Sequence, residues 1–178
     1  MCMNHSDLLK VESLSLEDIQ AIMSGVFFDD MEDSDPVILP SPPMLMIDRV
    51  TGIYRNGNKG RIIAELDIRA DAWYYACHFP GDPIHPGSLM LEGLWQLLVL
   101  FCAMGGARGS GRALGVGEVA FLKSTGPGKG NLRYELDILK FLFPDHNGNA
   151  LAVADGTVYV EDVEICKVHH IKAGVFKR

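Results

Sequence analysis

The most regular hydrophobic pattern in the chain lies between residues 87 and 104. Almost every position there is apolar, no proline or charged residue interrupts it except Glu92, and two glycines follow it. The pattern predicts an α-helix that ends at these glycines, and eighteen helical residues would span about 27 Å. The polar exceptions Ser88, Glu92 and Gln96 stand four residues apart, so they should form one stripe along an otherwise buried cylinder.

Alternating apolar and polar residues predict strands elsewhere in the chain. One alternating segment, residues 61–68, follows an Asn-Gly-Asn-Lys-Gly turn and precedes the helix. Four long segments follow the helix and are separated by glycine, proline or asparagine: residues 112–123, 131–142, 150–161 and 165–176. This order predicts an α+β domain, in which an antiparallel sheet has one long central helix lying across it.

The first 43 residues predict a helix and a loop. Ser15 can cap a short helix that runs through Ser24. Residues 29–43, rich first in Asp and then in Pro, predict a connecting loop. With 178 residues and no internal repeat, the chain is expected to form a single domain over 1–178. The apolar face of the short helix comprises Leu16, Ile19, Ile22 and Met23.

Composition and charge narrow the class of protein. The four cysteines show no paired spacing, which suits a reducing compartment, and a cytoplasmic protein is expected. The net charge of −7 argues against nucleic acid as a partner. The sequence has no charged-then-apolar leader, and Glu92 and Gln96 interrupt the central helix, so no membrane association is expected.

The segment before the central helix carries candidate acid–base chemistry. His78 precedes a turn rich in proline and glycine, and a histidine can accept a proton near neutral pH. Glu92, alone on an apolar helix, would favour its protonated form if it were buried. One group that accepts a proton and one that donates it are what a general acid–base elimination needs. The sequence therefore predicts that His78 and Glu92 are catalytic.

Three further residues are predicted to support this chemistry. Gln96, one turn after Glu92, could hold the Glu92 carboxyl in place. Gly87 and Ser88 lie in the first turn of the helix, where backbone N–H groups lack partners inside the helix. That end of the helix is suited to polarise the carbonyl oxygen of a substrate.

Other interpretations of the same residues stay open. His78 could be a structural histidine, and Glu92 could pair with a buried arginine. Cys77 adjoins His78, but neighbours on an extended segment point to opposite faces, which argues against a Cys–His pair. His78 and His85 could bind a metal ion, yet no further ligand has zinc-like spacing, so no metal is predicted.

Several motifs together resemble one enzyme family. The segment at residues 77–96, which begins Cys-His-Phe-Pro-Gly-Asp-Pro-Ile-His-Pro-Gly and contains Glu92, resembles the active-site signature of one enzyme family. This family is the bifunctional 3-hydroxydecanoyl-acyl-carrier-protein dehydratase/isomerases of bacterial fatty acid synthesis, within the hot-dog-fold superfamily. The resemblance covers roughly residues 13–177. Further matching segments are Leu-Pro-Ser-Pro-Pro-Met-Leu-Met-Ile-Asp-Arg-Val (39–50), Ala-Glu-Leu-Asp-Ile (64–68), Trp-Tyr-Tyr (73–75), Arg-Ala-Leu-Gly-Val-Gly-Glu-Val (112–119), Ala-Asp-Gly (154–156) and Lys-Ala-Gly-Val-Phe (172–176).

The resemblance implies a fold, an assembly and a substrate. It implies a single hot-dog domain, whose antiparallel sheet wraps around the central helix and which pairs with a second copy into a homodimer. It also implies that His78 of one chain and Glu92 of the other share each active site. The implied substrate is an acyl thioester on the phosphopantetheine arm of an acyl carrier protein, and no cofactor is implied.

The chain departs from the family at positions that touch the chemistry. Glu92 stands where the family usually has aspartate and, together with Pro80, matches the sister dehydratases that do not isomerise. His85 replaces a common methionine, and Ser88 replaces a common cysteine. We therefore expect a (3R)-hydroxyacyl-carrier-protein dehydratase with weak or absent isomerase activity. The alternatives are the full bifunctional enzyme, a hot-dog acyl thioesterase and a non-catalytic acyl-binding subunit.

Overall fold

Two helices and seven antiparallel strands make up the part of the chain that the structure, a computed structural model, describes: residues 10–24, 35–128 and 130–177. The α+β architecture predicted from the sequence is confirmed. The helices are α1 (Leu16–Met23) and α2 (Gly87–Met104), and a 3₁₀ turn spans Trp73–Ala76. The strands are β1 (Arg49–Asn56), β2 (Lys59–Asp67), β3 (Ser110–Gly115), β4 (Glu118–Phe121), β5 (Asn131–Leu142), β6 (Ala150–Val160) and β7 (Val163–Phe176).

The strands form one sheet in the order β1-β2-β5-β6-β7-β3, and β4 also pairs with β7. Every pair of neighbouring strands is antiparallel. Helix α2 packs mainly on β7, with further contacts to β5 and β6. A sheet laid around one long helix is the hot-dog arrangement, and it leaves β3 at an edge of the sheet, beside α2.

Helix α2 is the core of the domain. By length and composition it could cross a membrane, but 72% of it is buried inside the fold, so its apolar surface packs against the sheet. A close approach to β5 depends on Gly93, because a Cβ atom there would lie 2.6 Å from the ring of the fully buried Tyr134. The helix begins and ends at the residues that the sequence predicts.

The predicted strand over residues 112–123 is interrupted. β3 and β4 run along the same edge of β7, but the ladder breaks between Gly115 and Glu118. Opposite the break, His170 of β7 adopts a φ of 53°, and the N–H of Gly117 donates to the carbonyl of His169. A left-handed residue in one strand shifts the register of its neighbour, which splits the predicted strand in two.

The N-terminal part of the fold agrees with most of the sequence prediction. Ser15 caps α1, since its hydroxyl accepts the N–H of Asp18 and the Asp18 carboxylate accepts the N–H of Ser15. Ile19 and Ile22 are buried, whereas Leu16 is exposed, so the buried face is narrower than predicted. Of the predicted loop, residues 35–43 form no helix or strand, and residues 29–34 lie outside the described residues. Strand β1 was not predicted, because its residues alternate only weakly between apolar and polar. It forms by pairing with β2, which the intervening turn brings alongside it.

Candidate active site

A closed loop between the 3₁₀ turn and α2 holds His78. The N–H of His78 donates to the carbonyl of the buried Tyr74 at 2.8 Å. At the other end of the loop, the N–H of Ile84 donates to the carbonyl of His78 at 2.9 Å. Inside the loop, Phe79 and Asp82 exchange two backbone hydrogen bonds of 2.9 Å. These bonds fix the backbone that carries the predicted base.

A backbone carbonyl decides which nitrogen of His78 can accept a proton. Nδ1 lies 3.2 Å from the carbonyl oxygen of Ile84. A carbonyl oxygen only accepts hydrogen bonds, so in the neutral ring Nδ1 carries the proton and Nε2 keeps its lone pair. The ring also stacks on Phe79, with centroids 4.2 Å apart. Nε2 is therefore the basic atom of this side chain.

A cavity of about 420 Å³, here called the His78 cavity, opens beside this ring. It brings together three of the predicted site residues, namely His78, Gly87 and Ser88. Its remaining walls are Ile84, His85, Met90 and residues 121–124.

Helix α2 begins in the wall of the His78 cavity without a side-chain cap. Pro86 is the N-cap residue, and no side chain accepts a hydrogen bond from the first turn. The ring of Phe121 lies against Gly87, where a Cβ atom would come within 2.6 Å of it, so only glycine permits this approach. The uncapped N–H groups of the first turn carry partial positive charge, as the sequence-based expectation for carbonyl binding requires.

Gln96 links the predicted acid to a distant loop. Its Nε2 donates to Glu92 Oε1 at 3.0 Å and to the carbonyl of Met44 at 2.7 Å. Its Oε1 accepts the N–H of Met46 at 2.9 Å. Because a carbonyl only accepts and a backbone N–H only donates, these partners leave one orientation for the amide. The amide thus donates a hydrogen bond to the Glu92 carboxyl, and it also anchors residues 44–46.

A second cavity of about 300 Å³, here called the Glu92 cavity, contains the acid. Glu92 is half-buried in its wall, and no described residue forms an ion pair with it. The nearby Arg112 donates to the carbonyl of Gly111 at 2.7 Å instead. Pairing of Glu92 with a buried arginine, the structural alternative, is thus not seen among the described residues. The other walls are Trp95, Gln96, Val99, residues 38–40 and residues 110–113.

Within one chain, His78 and Glu92 line two different cavities. Ser88 belongs to the first cavity, whereas Glu92 and Gln96 belong to the second, so the polar stripe of α2 is divided between them. The spacing in the sequence predicts the stripe but not its division. Helical periodicity places residues on one face of a helix and does not show which segments pack over that face.

The other sequence-based candidates take different places. Cys77 ends the 3₁₀ turn rather than lying on an extended segment, and its Sγ donates to the carbonyl of Tyr74 at 3.4 Å, not to His78. Among the described residues, no three His, Cys, Asp or Glu side chains gather as metal ligands would. His85 is buried in the wall of the His78 cavity. In the sequence His85 is a candidate metal ligand and a departure from the family's common methionine, and its burial follows only from the packing of the loop.

Comparisons with known proteins identify the family of this chain and a solved structure of similar fold. The FabA-like domain family matches residues 39–169, and the chain belongs to that family. The dehydratase heterocomplex ApeI:P from Xenorhabdus doucetiae is similar in fold, with 13% identity, a TM-score of 0.54, and coverage of 78% of this chain and 86% of that one. Cj0977, a sigma28-regulated virulence protein from Campylobacter jejuni, has 12% identity, a TM-score of 0.49 and coverage of 78% and 83%. A mutant of the fluoroacetyl-CoA-specific thioesterase FlK has 11% identity, a TM-score of 0.49 and coverage of 68% and 89%.

Proposed function

We propose that the chain is a (3R)-hydroxyacyl-carrier-protein dehydratase that converts a 3-hydroxyacyl thioester into a trans-2-enoyl thioester and water. One observation carries the proposal: the Ile84 carbonyl holds Nδ1 of His78, which leaves Nε2 as a proton acceptor beside an uncapped helix N-terminus. Membership of the FabA-like domain family supports it, and so does the hydrogen bond that Gln96 gives to the Glu92 carboxyl.

The elimination proceeds as one balanced acid–base reaction. Nε2 of His78 takes a proton from C2, the electrons of that C–H bond form the C2–C3 double bond, and the C3–O bond breaks. The Glu92 carboxyl, as the proposed general acid, gives a proton to the departing hydroxyl, which leaves as water. Backbone N–H groups of Gly87 and Ser88 polarise the thioester carbonyl and so make the C2 proton more acidic. The reaction uses no metal and no organic cofactor.

Each active site needs two copies of the chain in this proposal. His78 and Glu92 line different cavities, so His78 of one copy and Glu92 of another act on the same substrate. Strand β3 supports this pairing, because it lies at an edge of the sheet and its residues 110–113 form a wall of the Glu92 cavity. A second copy that pairs along this edge would extend the sheet and lie next to Glu92. An acyl carrier protein delivers the acyl group on its phosphopantetheine arm.

Isomerisation of the product to the cis-3 isomer is weak or absent in this proposal. That reaction requires the enoyl product to stay bound while a proton leaves C4 and another returns to C2. Glu92 reaches about one methylene further than the aspartate of the bifunctional relatives, and Pro80 stiffens the turn that carries His78. We expect no substantial cis-3-decenoyl thioester when the protein is incubated with trans-2-decenoyl thioester and the products are separated by chromatography. Its formation would contradict this part of the proposal and restore the bifunctional assignment.

A spectrophotometric assay with crotonyl or 2-decenoyl pantetheine thioester tests the main proposal. A dehydratase hydrates the double bond reversibly, so the enoyl absorbance should fall to an equilibrium value and the thioester should stay intact. Release of a free thiol would identify a thioesterase instead. If the absorbance does not change and no thiol appears, the chain is an acyl-binding subunit and the proposal is wrong.

A further inference from the structure

Asp155 lies on β6 in the Ala-Asp-Gly segment (154–156), for which the proposed elimination has no role. The pairing of β6 with β7 is irregular at this residue, because Asp155 alone stands opposite two residues of β7, His169 and His170. Two residues opposite one form a β-bulge, which bends the strand that contains it and increases the local twist. Asp155 therefore faces the bulge of β7.

The carboxylate of Asp155 contacts both residues of the bulge. Its Oδ1 accepts the backbone N–H of His170 at 2.8 Å, and its Oδ2 lies 3.3 Å from Nδ1 of His169. His170 has a φ of 53°, in the left-handed region that residues with a Cβ atom rarely adopt. Burial raises the pKa of Asp155, but the hydrogen bonds from His170 and His169 outweigh burial and bring this pKa below its usual value. The charged carboxylate thus stabilises the left-handed residue.

Strand β7 carries a wall of each cavity, one on either side of His170. Residues 110–113 of β3, which line the Glu92 cavity, pair with residues 173–176 of β7. Residues 118–121 of β4 pair with residues 166–169, and the wall of the His78 cavity begins at the last residue of β4. A change in the bend of β7 between these two stretches would therefore move one wall relative to the other.

The wall of the His78 cavity is sensitive to this placement because it packs closely on α2. The ring of Phe121 lies against Gly87, at the uncapped helix N-terminus to which the proposed function assigns the thioester carbonyl. The segment that joins β3 to β4 also lies against the bulge. There the N–H of Gly117 donates to the carbonyl of His169 at 3.0 Å, and a Cβ atom on Gly117 would lie 3.2 Å from Cβ of His170.

We propose that Asp155 is a positioning residue of the proposed active site, because its hold on His170 keeps the bulge in β7 and so keeps Phe121 against the first turn of α2. Without this hydrogen bond, the backbone of His170 returns to a more favourable region and the wall moves. This role rests on the proposed function, which assigns the thioester carbonyl to that turn. A displacement of about 1 Å in an active site can lower a rate about 10²-fold.

A pair of substitutions tests whether Asp155 acts through the left-handed residue. Asp155→Ala removes the acceptor of the His170 N–H and should lower kcat for enoyl-thioester hydration about 10- to 10²-fold, with a smaller change in KM. The double variant Asp155→Ala/His170→Gly should recover most of the lost kcat, because glycine adopts the left-handed region without a steric penalty and needs no hydrogen bond to stay there. A general loss of stability or of surface charge would not be repaired in this way.

Two further variants serve as controls. Asp155→Asn keeps an oxygen that can accept the His170 N–H, so it should retain most of kcat. Asp137→Ala is the matched control, because Asp137 stands directly opposite Asp155 on β5 and its carboxylate pairs with Arg61 at 3.4 Å. It should keep the kcat of the wild-type protein. Unchanged kcat in Asp155→Ala, an equal loss in Asp137→Ala, or a double variant that stays inactive or unfolded would overturn the inference.

NMR spectra of the free protein test the placement without any substrate. In Asp155→Ala the amide of His170 should exchange its hydrogen faster than in the wild-type protein, and the amide resonances of Gly87 and Ser88 should shift. In the double variant the Gly87 and Ser88 resonances should return toward their wild-type positions. Unchanged resonances in a folded Asp155→Ala variant would refute the positioning role. If these shifts occur but the wild-type protein does not hydrate enoyl thioesters, the proposed function is wrong and the placement by Asp155 stands.

Discussion

The His78 cavity and the Glu92 cavity are built in opposite ways. Nearly every hydrogen bond that fixes His78 joins residues within ten positions of it, such as the bonds to Tyr74 and Ile84. Glu92 is held by Gln96, and Gln96 is held by residues 44–46, about fifty positions earlier in the chain. Both cavities take a further wall from residues that follow α2, 121–124 for the first and 110–113 for the second, so the difference lies in how the base and the acid are held.

Because of this difference, we expect that substitutions can change the geometry of the proposed base without changing that of the proposed acid, and the reverse. The base depends on a local loop that closes on itself, so its geometry can form early and tolerate changes elsewhere. The acid depends on segments that meet only when the domain has folded around α2. Changes far from Glu92 should therefore affect the acid more than the base, and a cost in stability should accompany them.

Removal of the base should have the largest effect. His78→Ala should lower the rate of enoyl-thioester hydration about 10²–10⁴-fold, because it removes the proposed general base. The spectrophotometric assay on purified protein measures this. Far-UV circular dichroism and size-exclusion chromatography provide the control for fold and assembly. A folded variant with near-normal hydration would leave the His78 cavity without its proposed role.

Removal of the acid should be nearly as severe, and it should be complemented in mixed dimers. Glu92→Gln keeps the hydrogen-bonding shape but cannot deliver a proton, so it should lose most dehydration. Mixing it with His78→Ala, followed by subunit exchange, should restore about a quarter of wild-type activity. Half of the re-formed dimers are then mixed, and each mixed dimer has one intact site of two.

The complementation experiment decides whether the two cavities meet between chains. If each site lay within one chain, both kinds of subunit in a mixed dimer would be inactive and no activity would return. Unchanged turnover in Glu92→Gln alone would give Glu92 a structural role.

The bond between the acid and its distant loop should appear in the free energy of unfolding. Gln96→Leu leaves the N–H of Met46 and the carbonyl of Met44 without their partner, which should cost about 1–3 kcal/mol. Urea denaturation measures the change. Ser88→Ala is the matched control on the same stripe of α2, because Ser88 is exposed and should change stability by less than about 0.5 kcal/mol. Equal stability of both variants would mean that residues 44–46 are held by other contacts.

The pH dependence of stability should report the burial of His85. Its pKa falls from 6.5 in the unfolded chain to about 4 in the fold, so the unfolded state binds more protons between these values. The contribution of neutral His85 to the free energy of unfolding is therefore fully present above about pH 6.5 and is lost as the pH falls toward 4. Between about pH 7.5 and pH 5 the wild-type protein should lose about 2 kcal/mol more than His85→Met does. Parallel pH profiles of the two proteins would show that His85 is not buried as a neutral ring.

Much of the fold follows from local patterns. The helix over residues 87–104 and the long strand at 131–142 occur where the sequence predicts them, because a sustained period of 3.6 or 2 identifies such elements. The break near Val116 and the strand β1 were missed. A left-handed His170 on another strand causes the break, and the partner of β1 comes from β2, so neither depends on the local pattern.

In the candidate site, too, some features follow from adjacent residues and others depend on contacts between distant segments. The turn before α2 and the spacing of Ser88, Glu92 and Gln96 come from adjacent residues, so the sequence by itself determines them. Only the tertiary structure places Ser88 beside His78 and Glu92 in another cavity, closes His85 off from water and ties Gln96 to residues 44–46. Hydrogen bonds and packing between distant segments depend on how the sheet wraps around the helix, and no local pattern in the chain specifies that.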